Sequence, residues 1–207
     1  MYPTRLVEMI LTFVVNTPLF DTTGAKGNSI RGVLEGEEIR TGFWDCRNDQ
    51  NALFHFGVKL HPESTINVQL LELATRAPGG QRMKYRCGLG DAVLREVVKS
   101  GRMTREEASR FDQVKSEGKI FFKRSNYRVF QERSPPKLAQ LYAGQDTIYM
   151  DMPQETYESR MDEANYSREF VQDLTRFALE KACTKESVSM VAHFSCEILA
   201  MSRSVRL

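Results

Sequence analysis

Three side chains in the stretch from Asn51 to Leu71, NALFHFGVKLHPESTINVQLL, have the types and spacing to do chemistry: His55, Lys59 and Asn67. From Ala52 to Leu60 the chain alternates, with Ala52, Phe54, Phe56, Val58 and Leu60 on one side and Asn51, His55, Gly57, Lys59 and His61 on the other; Leu53 is the apolar intruder. A period of two predicts a strand with one face buried. His61 to Ser64 supplies turn residues, and the alternation resumes with Ile66, Val68 and Leu70 inward and Thr65, Asn67 and Gln69 outward. The two arms are expected to form a hairpin whose open face collects an imidazole, an ammonium and amides. Donors and acceptors fixed on rigid strands suit sugar hydroxyls, although most outward polar residues on a sheet are simply solvated.

Other constellations are weaker. Cys46 and His55 could form a thiolate pair, with Asp45 the one acid near enough to orient it. Cys183, His193 and Cys196 lack a fourth zinc ligand and fit buried residues at helical spacing better. Gly24 to Ser29 has glycines and a lysine without the spacing that cradles phosphate, so it reads as a loop. HExxH, P-loop, GxSxG and CxxC motifs are absent. The chain is expected to be non-enzymatic, with no metal and no cofactor.

The elements that must position these residues follow from the rest of the chain. Its 207 residues suit one domain and an appendage. With 29 basic against 27 acidic residues there is no broad basic field, so nucleic acid is not expected as a partner. Four scattered cysteines point to a reducing, cytoplasmic setting, with secretion the alternative. The apolar run at Met9–Val15 is too short to span a bilayer and reads as a first strand, so no membrane partner is expected.

Short strands separated by Gly, Asn and Asp around Val33–Ile39 and Phe43–Cys46 favour a sandwich or barrel. Asp91 can cap a helix carrying Val93, Leu94, Val97 and Val98 and stopped at Gly101. Thr104 with Glu107 fits a capping box that opens a second short helix toward Phe111 and Val114. Met83–Cys87, Lys119–Phe122 and Tyr127–Phe130 have strand composition. From Asp151 the chain reads as helix: Pro153 sits in a first turn, and Ser167 caps a stripe of Phe170, Val171, Leu174, Phe177 and Ala178. Thr184 can cap a last helix, apolar nearly all round, that needs a sheet or a partner chain to cover it.

Three patches together resemble the galectin family. NALFHFGVKL and the Ile66–Asn67 strand look like the segment in which LHFNPRF leads to a strand ending in Asn-Ser. Phe130 to Pro135, followed by Leu141 to Asp146, is similar to FxHRxP, a spacer and LxIxGD. Gly32 to Ile39 is similar to GGLxxGxxI. The resemblance spans most of residues 18 to 150 and implies a mainly β fold. That fold is an antiparallel β-sandwich over residues 1–150, binding β-galactosides without a metal. A helical insertion near 88–115 and a helical C-terminal extension over 151–207 complete the expected architecture, with α+β as the alternative.

On that resemblance His55 matches the sugar-binding histidine, Gly57 replaces an asparagine, Lys59 an arginine, and Asn67 matches the second asparagine one position out of register. Aligning residues 101–108 with WGxExR puts Met103 for the stacking tryptophan and Glu106 for the glutamate, which competes with the helix predicted there. The implied function is carbohydrate binding through His55, Lys59, Asn67 and Glu106, with a glycan or glycoprotein as partner. The alternative is an interaction or scaffold protein that keeps the sandwich and docks, on a partner or on its own copy, through the C-terminal helices.

Overall fold

The structure, a computed structural model, describes residues 20–24, 27–76, 86–125, 135–164 and 166–183. Among these residues the chain is mostly helical. The order is α1 (Ile30–Glu35), β1 (Thr41–Phe43), α2 (Cys46–Phe54), β2 (Thr65–Asn67), α3 (Val68–Ala74), α4 (Leu89–Lys99), α5 (Arg105–Arg124), α6 (Lys137–Ile148), α7 (Asp151–Arg160), a 3-10 turn (Met161–Glu163) and α8 (Arg168–Ala182). The two strands pair in parallel, Thr41 with Thr65, Gly42 with Ile66 and Phe43 with Asn67, and α2 makes the crossover between them. The expected mainly β, galectin-like antiparallel sandwich is therefore overturned: among the described residues there are two short parallel strands in one small sheet.

The hairpin expected at Asn51–Leu71 is a helix end, a turn, an extended link, a strand and another helix. Helix α2 buries Cys46, Gln50 and Leu53, which is i, i+4, i+7 spacing. Gln50 concealed that spacing, because it is a polar residue used in the core. Its Oε1 accepts from the Leu60 N–H at 2.7 Å and its Nε2 reaches the Val58 carbonyl at 3.5 Å, satisfying backbone that no strand partner covers. Only at Val58–Leu60 does alternation survive, with Val58 and Leu60 buried and Lys59 exposed.

The other two galectin-like patches are helical in part, with residues 130–134 outside the described residues. Gly32–Glu35 lies in α1, which ends at Gly36, and Leu141–Asp146 lies in α6. Residues 119–122, expected as a strand, are the last turns of α5. The expected strand at Tyr127–Phe130 and residues 83–85 of the one expected at Met83–Cys87, with the first strand and the last helix, lie outside the described residues.

Caps fix the helices where the side chains predict them. Thr104 Oγ1 accepts from the Glu107 N–H while the Glu107 carboxylate accepts from the Thr104 N–H, a complete capping box. Ser167 Oγ accepts from the Phe170 N–H at 3.1 Å and starts α8. Helix α4 begins three residues earlier than the Asp91 cap expected for it, with Gly88 as N-cap, and turns off at Gly101, φ +70°.

Helix α8 packs along α2, with Ala178 and Leu179 against Leu34, Phe43, Leu53 and Val58. Its other apolar residues, Val171 and Leu174, join Ile66, Leu71, Met150 and Tyr157 in a second cluster. Residues on both sides of the expected boundary at 150 thus share one core. Charged side chains tie α3, α4 and α7 together: Glu72, 2% exposed, is held by Arg76 and Arg95, and Arg95 also reaches Glu96 and the Tyr157 hydroxyl. Removing one member of such a network leaves a buried charge uncompensated. Among the described residues no helix is long and apolar enough to cross a membrane.

Candidate functional site

A parallel β-α-β unit leaves a crevice at the carboxyl ends of its strands, where ligands bind in open α/β sheets. Here β1 runs out through Trp44 into Asp45, the N-cap of α2, and β2 runs out through Asn67, the N-cap of α3. A third segment crosses over both ends. The Cys87 carbonyl accepts from Trp44 Nε1 at 3.1 Å and from Gln69 Nε2 at 2.9 Å, which brings Arg86 to within 3.5 Å of the Asp45 carboxylate. Arg47 folds back onto the same carboxylate as a two-pronged pair, 2.8 and 2.5 Å.

One turn further along α2 sits Asp49, half-buried and on the same side. Burial pushes its carboxyl up to about 6, and the negative charge of Asp45 adds to the shift. Arg47 and Arg86 both pair with Asp45, and among the described residues Asp49 makes no ion pair. Two guanidiniums therefore meet the Asp45 carboxylate at the strand ends, with Asp49 one turn along α2. Among the described residues no group of three His, Cys, Asp or Glu side chains is placed to hold a metal.

Beneath them Cys46 is fully buried. Burial, then the charges of Asp45 and Asp49, push its thiol up to about 12, and Asn67 Nδ2 donates to the sulfur at 3.4 Å. His55 caps the opposite end of α2, roughly 13 Å away along nine helical residues. The thiolate pair considered from sequence does not form.

The four residues assigned to sugar binding are dispersed. His55 and Lys59 are exposed neighbours around one turn, and the Lys59 ammonium lies over the Phe54 ring at 5.9 Å. Asn67, expected to face outward, is 3% exposed and spends its amide on Cys46 and on the Leu70 N–H. Glu106 is exposed in the first turn of α5, a helix that packs on α4 and α6. What sequence reasoning missed is Asp49. Its signal was present as Asp45-x-x-x-Asp49, a one-turn spacing, but reading residues 52–60 as a strand hid the helix that gives this spacing meaning.

Comparison with family models, with curated proteins and with solved structures returns no match.

Proposed function

We propose that this chain binds a divalent cation at Asp49 beside Asp45 and, through that ion, a phosphate-bearing ligand. The observation that carries the proposal is the placement of Asp49 one turn from Asp45 at the carboxyl ends of β1 and β2, with no ion pair to it among the described residues; burial and Asp45 push its carboxyl up to about 6. A carboxylate in that state gains from any cation that approaches it. Oxygen ligands favour a hard ion, and Mg2+ characteristically takes one or two carboxylates and completes its shell with water and ligand phosphates. Arg47 and Arg86 stand beside the pair, and guanidiniums are suited to phosphate oxygens.

This reading departs from the sequence expectation of no metal. It replaces glycan binding, which depended on a sheet face that the helices do not provide. Docking through the last helix concerns residues beyond 183 and lies outside the described residues.

The test is thermal unfolding and calorimetric titration of the full chain with Mg2+, alone and with pyrophosphate. Mg2+ is expected to raise the melting temperature, pyrophosphate to add to that rise, and Asp49→Asn to abolish both. A wild-type chain indifferent to both ligands, or an Asp49→Asn chain that responds equally, overturns the reading.

A further inference from the structure

Asp45 is both the N-cap of α2 and the anion on which two guanidiniums close. Arg47, in the first turn of the same helix, grips it with Nε at 2.8 Å and Nη2 at 2.5 Å, the two-pronged geometry that a guanidinium uses for carboxylates and phosphates alike. Arg86 Nη1 approaches from outside the helix at 3.5 Å, and the Arg47 backbone N–H points to the same carboxylate at 3.5 Å. The group is sheltered: the side chains of Asp45, Arg47 and Arg86 are 21%, 18% and 19% exposed. Two guanidiniums and a first-turn N–H are the parts of an anion site. In this chain the anion is the protein's own.

Both cations have backbones fixed by other contacts. Arg47 is built into α2, and Arg86 is carried by the segment whose Cys87 carbonyl accepts from Trp44 Nε1 at 3.1 Å and from Gln69 Nε2 at 2.9 Å. The Asp45 carboxylate, by contrast, can leave by turning about its own side-chain bonds. Charge decides what draws it away. In formal charge Asp45 and Asp49 cancel Arg47 and Arg86, so a polyanion arriving alone gains little and must break the Arg47 fork. A divalent cation at Asp49 attracts the Asp45 carboxylate, makes the region positive and leaves the guanidiniums to the phosphate.

We infer that Asp45 is an internal stand-in for the ligand's phosphate: its carboxylate occupies the anion site of Arg47 and Arg86 and must be withdrawn before a polyanion can bind. The inference rests on the cation-and-phosphate reading above and adds an order to it, cation first and phosphate second. The two ligands are then coupled, each raising the affinity for the other by the same factor.

The test is calorimetric titration of the full chain with pyrophosphate at pH 8, in buffer freed of divalent cations on a chelating resin. Wild type is expected to bind weakly and Asp45→Asn more tightly by about tenfold or more, the equivalent of ~1.4 kcal/mol. Asparagine caps a helix as well as aspartate does, so α2 keeps its start. If the melting curve shows Asp45→Asn unfolded, Asp45→Ser, another uncharged cap, decides in its place. Asp49→Asn removes an equal charge one turn away without releasing a guanidinium and is expected to stay near wild type. Arg47→Gln in the Asp45→Asn background is expected to take the gain away. Wild type binding as tightly as Asp45→Asn, an equal gain in Asp49→Asn, or a gain that survives Arg47→Gln overturns the inference. No arm contains a metal, so the two readings fail separately: a chain indifferent to Mg2+ that still shows the Asp45→Asn gain keeps the internal anion and drops the cation, and the reverse result keeps the cation and drops the internal anion.

Discussion

Asn67 bridges Cys46 and the first turn of α3, donating through Nδ2 to the sulfur at 3.4 Å and accepting through Oδ1 from the Leu70 N–H at 3.3 Å. One buried amide thus caps α3 and closes the end of β2 over the start of α2. Replacing an N-cap side chain by Ala costs ~1 kcal/mol, and a buried group left unsatisfied adds about 1–3 kcal/mol more. Asn67→Ala is therefore expected to lower stability by roughly 2 kcal/mol in a urea titration. Asn67→Asp keeps the cap acceptor but puts a third negative charge beside Asp45 and Asp49, and is expected to be worse at pH 8 than at pH 4. Equal stability of wild type and Asn67→Ala would show that the amide is neither cap nor bridge.

Asp49 gives a pH dependence of known sign. Its folded-state carboxyl lies near 6 against an ordinary value of 3.8, so between those values the folded chain holds the proton more tightly than the unfolded chain. Its contribution is most favourable below about 4, declines as pH rises toward 6, and stays unfavourable above, on the order of 3 kcal/mol. Asp49→Asn removes the penalty. With a chelator present, the variant is expected to melt higher than wild type at pH 8, with the gap narrowing by pH 4. A gap independent of pH would place the proton elsewhere. A carboxylate that weakens its own fold yet would hold a ligand is the trade expected of a binding site.

Much of the helical half was legible because it is written in local chemistry. Thr104 and Glu107 bond reciprocally across a single turn, and Ser167 with its stripe needs nothing beyond α8, though Phe177, expected in that stripe, is 37% exposed. The half that was misread uses polar side chains inside the core. The inward face of α2 is Cys46, Gln50 and Leu53, and that of α5 is Phe111, Lys115, Gly118 and Phe122. Gln50 and Lys115 break the apolar period, while Phe54 and Ile120, 38% and 53% exposed, offer apolar residues on the wet side. Alternation then imitates a strand. Asp45 and Asp49 could not be recognised as neighbours until α2 was recognised as a helix.

Thiol reactivity separates the two cysteines of the strand ends. Cys46 has no exposed surface, and burial with two adjacent carboxylates pushes its thiol up to about 12, so the nucleophilic thiolate is scarce. Alkylation by iodoacetamide at pH 8, located by peptide mass spectrometry, is expected to leave Cys46 unmodified in the folded chain and to label it only on unfolding. Half-buried Cys87, its thiol also pushed up by burial with Arg95 Nη1 at 3.6 Å offsetting only part of that, is expected to react before Cys46. Rapid labelling of native Cys46 would revive the thiolate chemistry that the geometry rejects.

Gly118 tests the packing of α5 on α6. In an exposed helix interior, Gly→Ala gains up to ~1 kcal/mol. Here a Cβ would lie 2.3 Å from Tyr142 Cδ2 and 3.0 Å from its Cε2, so the ring must move. It is not free to do so: the Lys115 ammonium sits 3.8 Å from its centroid, and the Phe122 ring meets it edge-on at 4.9 Å. Lys115 is itself held by Asp146 and by the Tyr142 carbonyl, so displacing the ring disturbs a buried cation. Overpacking of this kind costs ~1–3 kcal/mol, more than the helix preference returns. Gly118→Ala is expected to lower stability in the wild-type chain and to raise it by about 0.5–1 kcal/mol in a Tyr142→Ala background, where the methyl group has room. A double-mutant cycle in urea measures the change of sign. If Gly118→Ala stabilises both backgrounds, α5 and α6 do not meet at Tyr142.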